Sequence, residues 1–196
     1  IIEEGITEMN GTFSDCTALT DASGLVIPKS IKSLHGTFSN SGLVNVPNLS
    51  NLTNLTDMTQ TFKDCDNIVD ARELNLPNGL ISMDSTFMYC SNLKHAPNIP
   101  STVENMNQTF YVCTNLTEIP NIEGVNKLKN LSATFWGCSS LTYVNTTIPS
   151  SVTNCNNTFA NCPSLQGEIR INCTTEYNHW GTPAKMVVSH TQGCTH

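Results

Sequence analysis

Residues 80–97 read Leu80-Ile81-Ser82-Met83-Asp84-Ser85-Thr86-Phe87-Met88-Tyr89-Cys90-Ser91-Asn92-Leu93-Lys94-His95-Ala96-Pro97, and the same skeleton returns along most of the chain. Its anchor is the Thr-Phe step, found at Phe13, Phe38, Phe62, Phe87, Phe110, Phe135 and Phe159. These are all seven phenylalanines, spaced 25, 24, 25, 23, 25 and 24 residues apart. Self-similarity at such a period is the signature of a repeat architecture and takes precedence over local reading.

Other columns keep register with the phenylalanine. Seven residues before it stand Ile6, Ile31, Leu55, Leu80, Val103, Leu128 and Val152, and four before it Met9, Leu34, Met58, Met83, Met106, Leu131 and Cys155. Three after it come Cys16, Ser41, Cys65, Cys90, Cys113, Cys138 and Cys162. Six after it come Leu19, Ile68, Leu93, Leu116, Leu141 and Leu165, with Leu43 one position early, and an apolar residue follows at Ala22, Val46, Ala71, Ala96, Ile119 and Val144. No single unit can bury that many inward positions. Stacked units place each column on itself and make one continuous core.

The pattern predicts a right-handed, leucine-rich-repeat-like solenoid of about seven coils with a short-stranded parallel β-sheet. At about 4.8 Å per coil it would span roughly 34 Å. The strand is expected just after the cysteine column, as in Leu116-Thr117-Glu118-Ile119 and Leu141-Thr142-Tyr143-Val144, where apolar residues alternate. The Met-x-x-Thr-Phe-x-x-Cys stretch is too short for a long helix and reads as a tight turn or one helical turn. Amides at Asn67, Asn92 and Asn115 are placed to bond turn backbone. The solenoid is expected over 1–165, its N-terminal end uncapped, so that upstream residues or another subunit would meet it. Beyond Leu165 the period fails, and Gly167–Asn172 and Lys185–Ser189 alternate like strands, so 166–196 reads as a β-rich C-terminal cap.

The unit Thr-Phe-x-x-Cys-x-x-Leu, with Ile-Pro-Ser-(Ser/Thr)-Val at Ile99–Val103 and Ile148–Val152, resembles the BspA-like leucine-rich repeats over roughly residues 5–165. Similar units occur in surface proteins of gut and oral bacteria, in some phage structural proteins and in parasitic protists. The resemblance implies adhesion or partner contact, though function varies widely across a fold. Ser41 at a cysteine position, Cys155 at a methionine position and the shortened second repeat depart from the pattern.

Composition narrows the function classes. A net charge of -7 argues against nucleic-acid binding, which needs a basic stripe. Only 13% of residues are charged, so the outward surface is mostly neutral amide and hydroxyl, suited to protein or sugar contact. No run of about 18 apolar residues is present, so no membrane insertion by this segment is expected. No Gly-x-Ser-x-Gly, His-Glu-x-x-His or phosphate loop appears, His35 and His95 lie in different repeats, and the acids scatter. No catalytic residue, cofactor or metal is assigned.

Each remaining candidate has a packing alternative. The cysteine column is read as buried thiols acting as small hydrophobes, ahead of a metal ladder or disulfides between neighbours; Ser41 indicates that sulfur is dispensable there. Cys173 and Cys194 flank the terminal segment and are preferred as a disulfide closing the cap, over free thiols or a zinc site with His179 and His190, whose spacing lacks paired short ligands. Asn10, Asn48, Asn51, Asn54, Asn107, Asn115, Asn130, Asn145, Asn156 and Asn172 head Asn-x-Ser/Thr sequons. They would carry glycans in a eukaryotic secretory setting and be bare in a bacterium or phage. The threonine column is read as satisfying turn backbone, ahead of an ice-binding rank.

Four aromatics on variable positions remain as ligand-binding candidates: Tyr89, Tyr111, Trp136 and Tyr143. Tyr111 and Trp136 hold the same register position in adjacent repeats and should stack into a short strip, either anchoring a sugar or protein partner or shielding the turn beneath. The leading expectation is an extracellular or cell-surface interaction module meeting protein or carbohydrate partners. The alternative is a structural subunit of a filament, surface layer or phage fibre, joined to copies of itself end to end.

Overall fold

The structure, a computed structural model, describes residues 2–3, 5–171 and 180–190. Successive repeats lie directly on one another, and the core is the set of inward columns. From the second repeat onward the phenylalanines are fully buried, as are the leucine and methionine four residues earlier. The seven rings form one row: neighbouring centroids are 5.4, 5.7, 5.5, 5.6, 5.6 and 5.5 Å apart. In the first repeat Phe13 is only half-buried and Cys16 is exposed.

The Met-to-Cys stretch is a pair of tight turns rather than a helical turn. In the first repeat Thr12 N–H bonds Met9 C=O at 3.1 Å and Cys16 N–H bonds Phe13 C=O at 3.4 Å. The alternate amides point the other way: those of Met9, Gly11, Phe13 and Asp15 donate to the carbonyls of Ser33, His35, Thr37 and Ser39 in the next repeat. Later repeats copy this scheme. Such turns require a left-handed residue, and it recurs two positions after the methionine column and two after the phenylalanine. The second of these columns holds Asp15, Asn40, Asp64, Tyr89, Val112, Gly137 and Asn161, with φ between 53° and 72°.

Three side-chain devices lock this stretch. The buried threonine hydroxyl donates to the residue four before the previous repeat's phenylalanine, as Thr109 Oγ1 does to Met83 C=O at 2.8 Å. The threonines from Thr37 to Thr158 in this column are wholly buried, so the rank presents nothing to solvent or ice. The thiol bonds the previous phenylalanine's carbonyl, as Cys113 Sγ does to Phe87 C=O at 3.1 Å. Asparagine amides cross repeats too, Asn67 to Gly42 C=O at 3.2 Å and Asn92 to Asp66 C=O at 2.9 Å.

A ladder absent from the sequence reading runs through every repeat. Single parallel bridges join Glu8, Ser33, Asp57, Ser82, Asn105, Asn130 and Asn154 in order. Six of these polar side chains also hold the amide two residues on, for example Asp57 to Thr59 at 2.9 Å and Asn105 to Asn107 at 3.0 Å. The side chain closes a small turn while the backbone pairs sideways.

On the flank expected to carry the sheet, only the last part is regular. Strands β1 (Tyr143–Thr147), β2 (Gln166–Ile171) and β3 (Met186–His190) form one parallel sheet in that order. Tyr143 pairs with Gln166, and Gly167 with Met186. Leu116–Ile119 is not a strand, and in the sixth repeat the strand begins two residues after Leu141. Leu116 and Leu141 are held in turns to Cys113 and Cys138 C=O, so extension begins only past them. Four residues after the leucine stand Pro47, Pro97 and Pro120, which have no amide for a ladder, whereas the strand-forming repeats have Asn145 and Ile169. Earlier repeats keep isolated bridges there, Asp21 to Asn45 and Asp70 to His95. Close pairing makes Gly167 obligatory: its φ is 118°, and a Cβ there would lie 1.9 Å from Val144 C=O.

The last coil is covered by a residue that the period does not announce. Phe159 N–H donates to Trp180 C=O at 3.0 Å, taking the place of the next repeat's threonine carbonyl, and Trp180 is 6% exposed.

Candidate functional site

The outward position after each phenylalanine carries Ser14, Ser39, Lys63, Met88, Tyr111, Trp136 and Ala160. In the middle of that series three rings meet. Tyr111 and Trp136 stack with centroids 4.5 Å apart and planes within 5°, and Tyr89, from the neighbouring left-handed column, meets Tyr111 edge-on at 5.6 Å and 88°. Tyr111 and Trp136 are half-buried and Tyr89 is 38% exposed. Burial, and then Tyr89, raise the Tyr111 hydroxyl above its ordinary pKa. Tyr143 is elsewhere, at the start of β1 and 59% exposed.

The backbone under this row is strained. Its left-handed column is filled elsewhere by Asp, Asn or Gly, residue types that tolerate positive φ, but here by Tyr89 at 63° and Val112 at 58°. A β-branched residue in that region is an outlier costing on the order of 1–3 kcal/mol. Val112→Asn, which copies Asn40 and Asn161, should therefore raise stability by about 1 kcal/mol in urea denaturation. An unchanged or lower midpoint would mean that packing of the valine outweighs the strain.

The repeats so described match the family model "BspA type Leucine rich repeat region" in six copies, over residues 2–69 and 37–166. The chain belongs to the BspA-type leucine-rich repeat family. No curated protein sequence matches it. BspA-type repeats are commonly found on surface-associated or secreted proteins and are generally interaction modules without catalysis of their own.

In this BspA-type chain Cys16, Cys65, Cys90, Cys113, Cys138 and Cys162 are free thiols, and all the described repeat cysteines but Cys16 are buried. Burial pushes Cys90, Cys113 and Cys138 far above the usual thiol range, Cys155 to about 12 and Cys162 to about 11. Such buried thiols hold their protons near neutral pH and pack as small apolar groups. Among the described residues no group of three His, Cys, Asp or Glu side chains gathers as metal ligands, and no helix is long and apolar enough to cross a membrane. Cys173, Cys194 and His179 lie outside the described residues; His190 ends β3.

The sequon asparagines divide by environment. Asn48 and Asn51 are exposed on the loop of the second repeat, where Leu49, Leu52 and Leu55 point inward every third residue. Asn10 and Asn54 are exposed, but their amides donate to Glu8 and to Lys29 C=O. Asn107 and Asn115 are half-buried and donate to Asp84 and to Asn92 Oδ1. Asn130 holds the Ser132 amide, Asn145 accepts from Arg170, and Asn156 is exposed. Asn172 lies outside the described residues.

On the flank before the sheet Asp70 and Glu118 each have a basic neighbour. Arg72 grips Asp70 through both carboxylate oxygens and holds that carboxyl at about 2. His95 Nδ1 lies 3.2 Å from Glu118. An open cleft of about 620 Å³ lies on this flank between the second and third repeats, lined by Val44, Asn45, Asn48, Asp70, Glu73 and neighbours.

Proposed function

We propose that the chain is an interaction module of an extracellular or cell-surface protein, a right-handed stack of seven coils with 166–196 as its cap, and that it meets its partner through the aromatic row Tyr89–Tyr111–Trp136. The observation that supports this is the location of the strain. Where other repeats place Asp, Asn or Gly at the left-handed position, this stretch places Tyr89 and Val112 and gathers apolar surface. In the other left-handed column Gln60, Ser85, Gln108 and Ala133 also take positive φ, so what sets this stretch apart is a β-branched residue in that conformation beneath outward rings, and such strain is found at binding sites. Large aromatic side chains are also the usual energetic anchors of interfaces.

The test is binding to a panel of immobilised extracellular-matrix proteins and a glycan array, comparing the wild type with Tyr111→Ala/Trp136→Ala. Loss of at least about tenfold in affinity is expected, since anchor truncations cost about 2 kcal/mol or more. Both side chains point outward, so the melting temperature should change little. Retained binding at full strength would remove the row from the interface.

A second reading, end-to-end assembly into a filament, draws on the backbone bonding of the methionine-to-cysteine stretch. There alternate amides point to the following coil, so one edge of that stretch offers donors and the opposite edge acceptors. Light scattering over a concentration series distinguishes it: rising mass supports assembly, and a constant monomer mass counts against it.

A further inference from the structure

The row also constrains what it binds, and this step rests on the reading just given. We infer that the partner is a protein that inserts an arginine side chain over Ala160, against the outer face of Trp136. Because Tyr111 and Trp136 are 4.5 Å apart and within 5° of parallel, while belonging to successive coils, their faces look along the stack and their edges look outward. Tyr89 closes the far side of Tyr111 edge-on. A sugar ring stacks on an aromatic face turned to solvent, and the Tyr111–Trp136 pair turns edges outward. Among the described residues, the pair's one remaining face is that of Trp136 toward the next coil.

That next coil supplies a recess. Gly137 N–H bonds Ala160 C=O at 2.8 Å, so Ala160 occupies the register position beside Trp136, and its side chain ends at Cβ. Gly181 lies over it from the cap side, where a Cβ would come within 2.7 Å of the Ala160 Cβ. The floor is therefore small, with Trp136 one coil-step away on one side and the cap backbone on the other, so the two walls stand about two coil-steps, roughly 10 Å, apart. A plate set midway stands one coil-step from each wall.

Charge selects which plate. The chain carries -7 overall, and the positions flanking Trp136 are uncharged: Ser132, Ala133, Gly137, Ser139 and Asn161. The one basic residue in the outward column, Lys63, stands three coils away. A guanidinium is flat, weakly hydrated and attracted to an indole face more strongly than to any other ring, whereas an ammonium is compact and holds its water.

The probe is a blocked Gly-Arg-Gly-Arg-Gly peptide, with lysine and phenylalanine counterparts and a set of disaccharides. The readout is the Trp136 indole N–H signal in ¹H–¹⁵N spectra, assigned with Trp136→Phe. The arginine peptide should shift Trp136 and not Trp180, and the lysine and phenylalanine peptides should bind about fivefold or more weakly. Ala160→Tyr fills the recess with a residue type that the column already accommodates, and should weaken arginine-peptide binding about tenfold. Trp136→Leu, which keeps the recess but removes the π face, should do the same, and thermal melts check that both variants fold. Equal response to lysine or phenylalanine, no shift with arginine, or binding indifferent to both substitutions overturns the inference. A disaccharide that shifts Trp136 when arginine does not overturns it too, yet leaves the row as a binding site. Partner binding that survives Tyr111→Ala/Trp136→Ala removes both.

Discussion

Truncating Phe87 to alanine should destabilise the protein by about 3–5 kcal/mol, and the same change at Phe13 by much less. Phe87 is fully buried in the middle of the ring row, 5.5 Å from Phe62 and 5.6 Å from Phe110. Removing it loses the transfer energy of one ring, two aromatic contacts worth about 0.5–1.5 kcal/mol each, and the packing of whatever cavity fails to collapse. Collapse is resisted on both sides, because the coils above and below are tied to this one by backbone bonds on fixed registers, such as Phe87 N–H to Thr109 C=O at 2.9 Å. Phe13 is half-buried and has one ring neighbour. In a stacked array stability is close to a sum of units and nearest-neighbour interfaces, so a central loss breaks two interfaces and an end loss one. Urea denaturation followed by circular dichroism measures both. Equal midpoint shifts for Phe87→Ala and Phe13→Ala would show that the ring row is not the element that joins the coils.

The columns that carry this argument were readable because an inward position in a stacked array admits few residue types, and the same type returns at every turn of the chain. What stayed hidden has physical causes too. The ladder through Glu8, Ser33, Asp57, Ser82, Asn105, Asn130 and Asn154 falls on residues with poor strand propensity, since their task is to hold a nearby amide with the side chain. The strand at Leu116–Ile119 was expected from alternation alone, and the missing amide of Pro120 and the turn at Leu116 argue against it. Trp180 fills its place at the end of the stack through its backbone carbonyl, and no period points to a carbonyl. Register alone placed Tyr111 beside Trp136. The strain beneath them was also written in the sequence, in the contrast between Asp15, Asn40, Asp64, Gly137 and Asn161 and the Tyr89 and Val112 that interrupt them. It became legible only once that column was known to be left-handed.

The buried thiols lead to the second large expectation, a steep loss of stability above about pH 9. Cys65, Cys90, Cys113, Cys138, Cys155 and Cys162 are at most 1% exposed. Desolvation is the leading cause that raises each of them above the ordinary value of 9.0, to about 12 at Cys155 and about 11 at Cys162. A group whose folded pKa is raised holds its proton longer in the folded state. Its contribution is therefore complete below the unfolded pKa near 9 and is lost as pH climbs toward the folded value. Each thiol lowers stability by about 1.4 kcal/mol per pH unit in that window, so six acting together approach roughly 8 kcal/mol per unit. Set against the 5–15 kcal/mol typical of a folded domain, that is enough to unfold the protein within about one to two pH units. Urea midpoints under reducing conditions should be level from pH 7 to 8.5 and fall sharply by pH 10. Cys138→Ala removes one titrating group along with its 3.1 Å bond to Phe110 C=O, and should lower stability at pH 7 while making the alkaline fall shallower by about 1.4 kcal/mol per pH unit. Cys16→Ala, at the exposed position, should leave the slope unchanged. A midpoint still level at pH 10.5 would mean that the thiols reach water while the coils remain stacked, and the cysteine column would then be a seam that opens rather than part of the core.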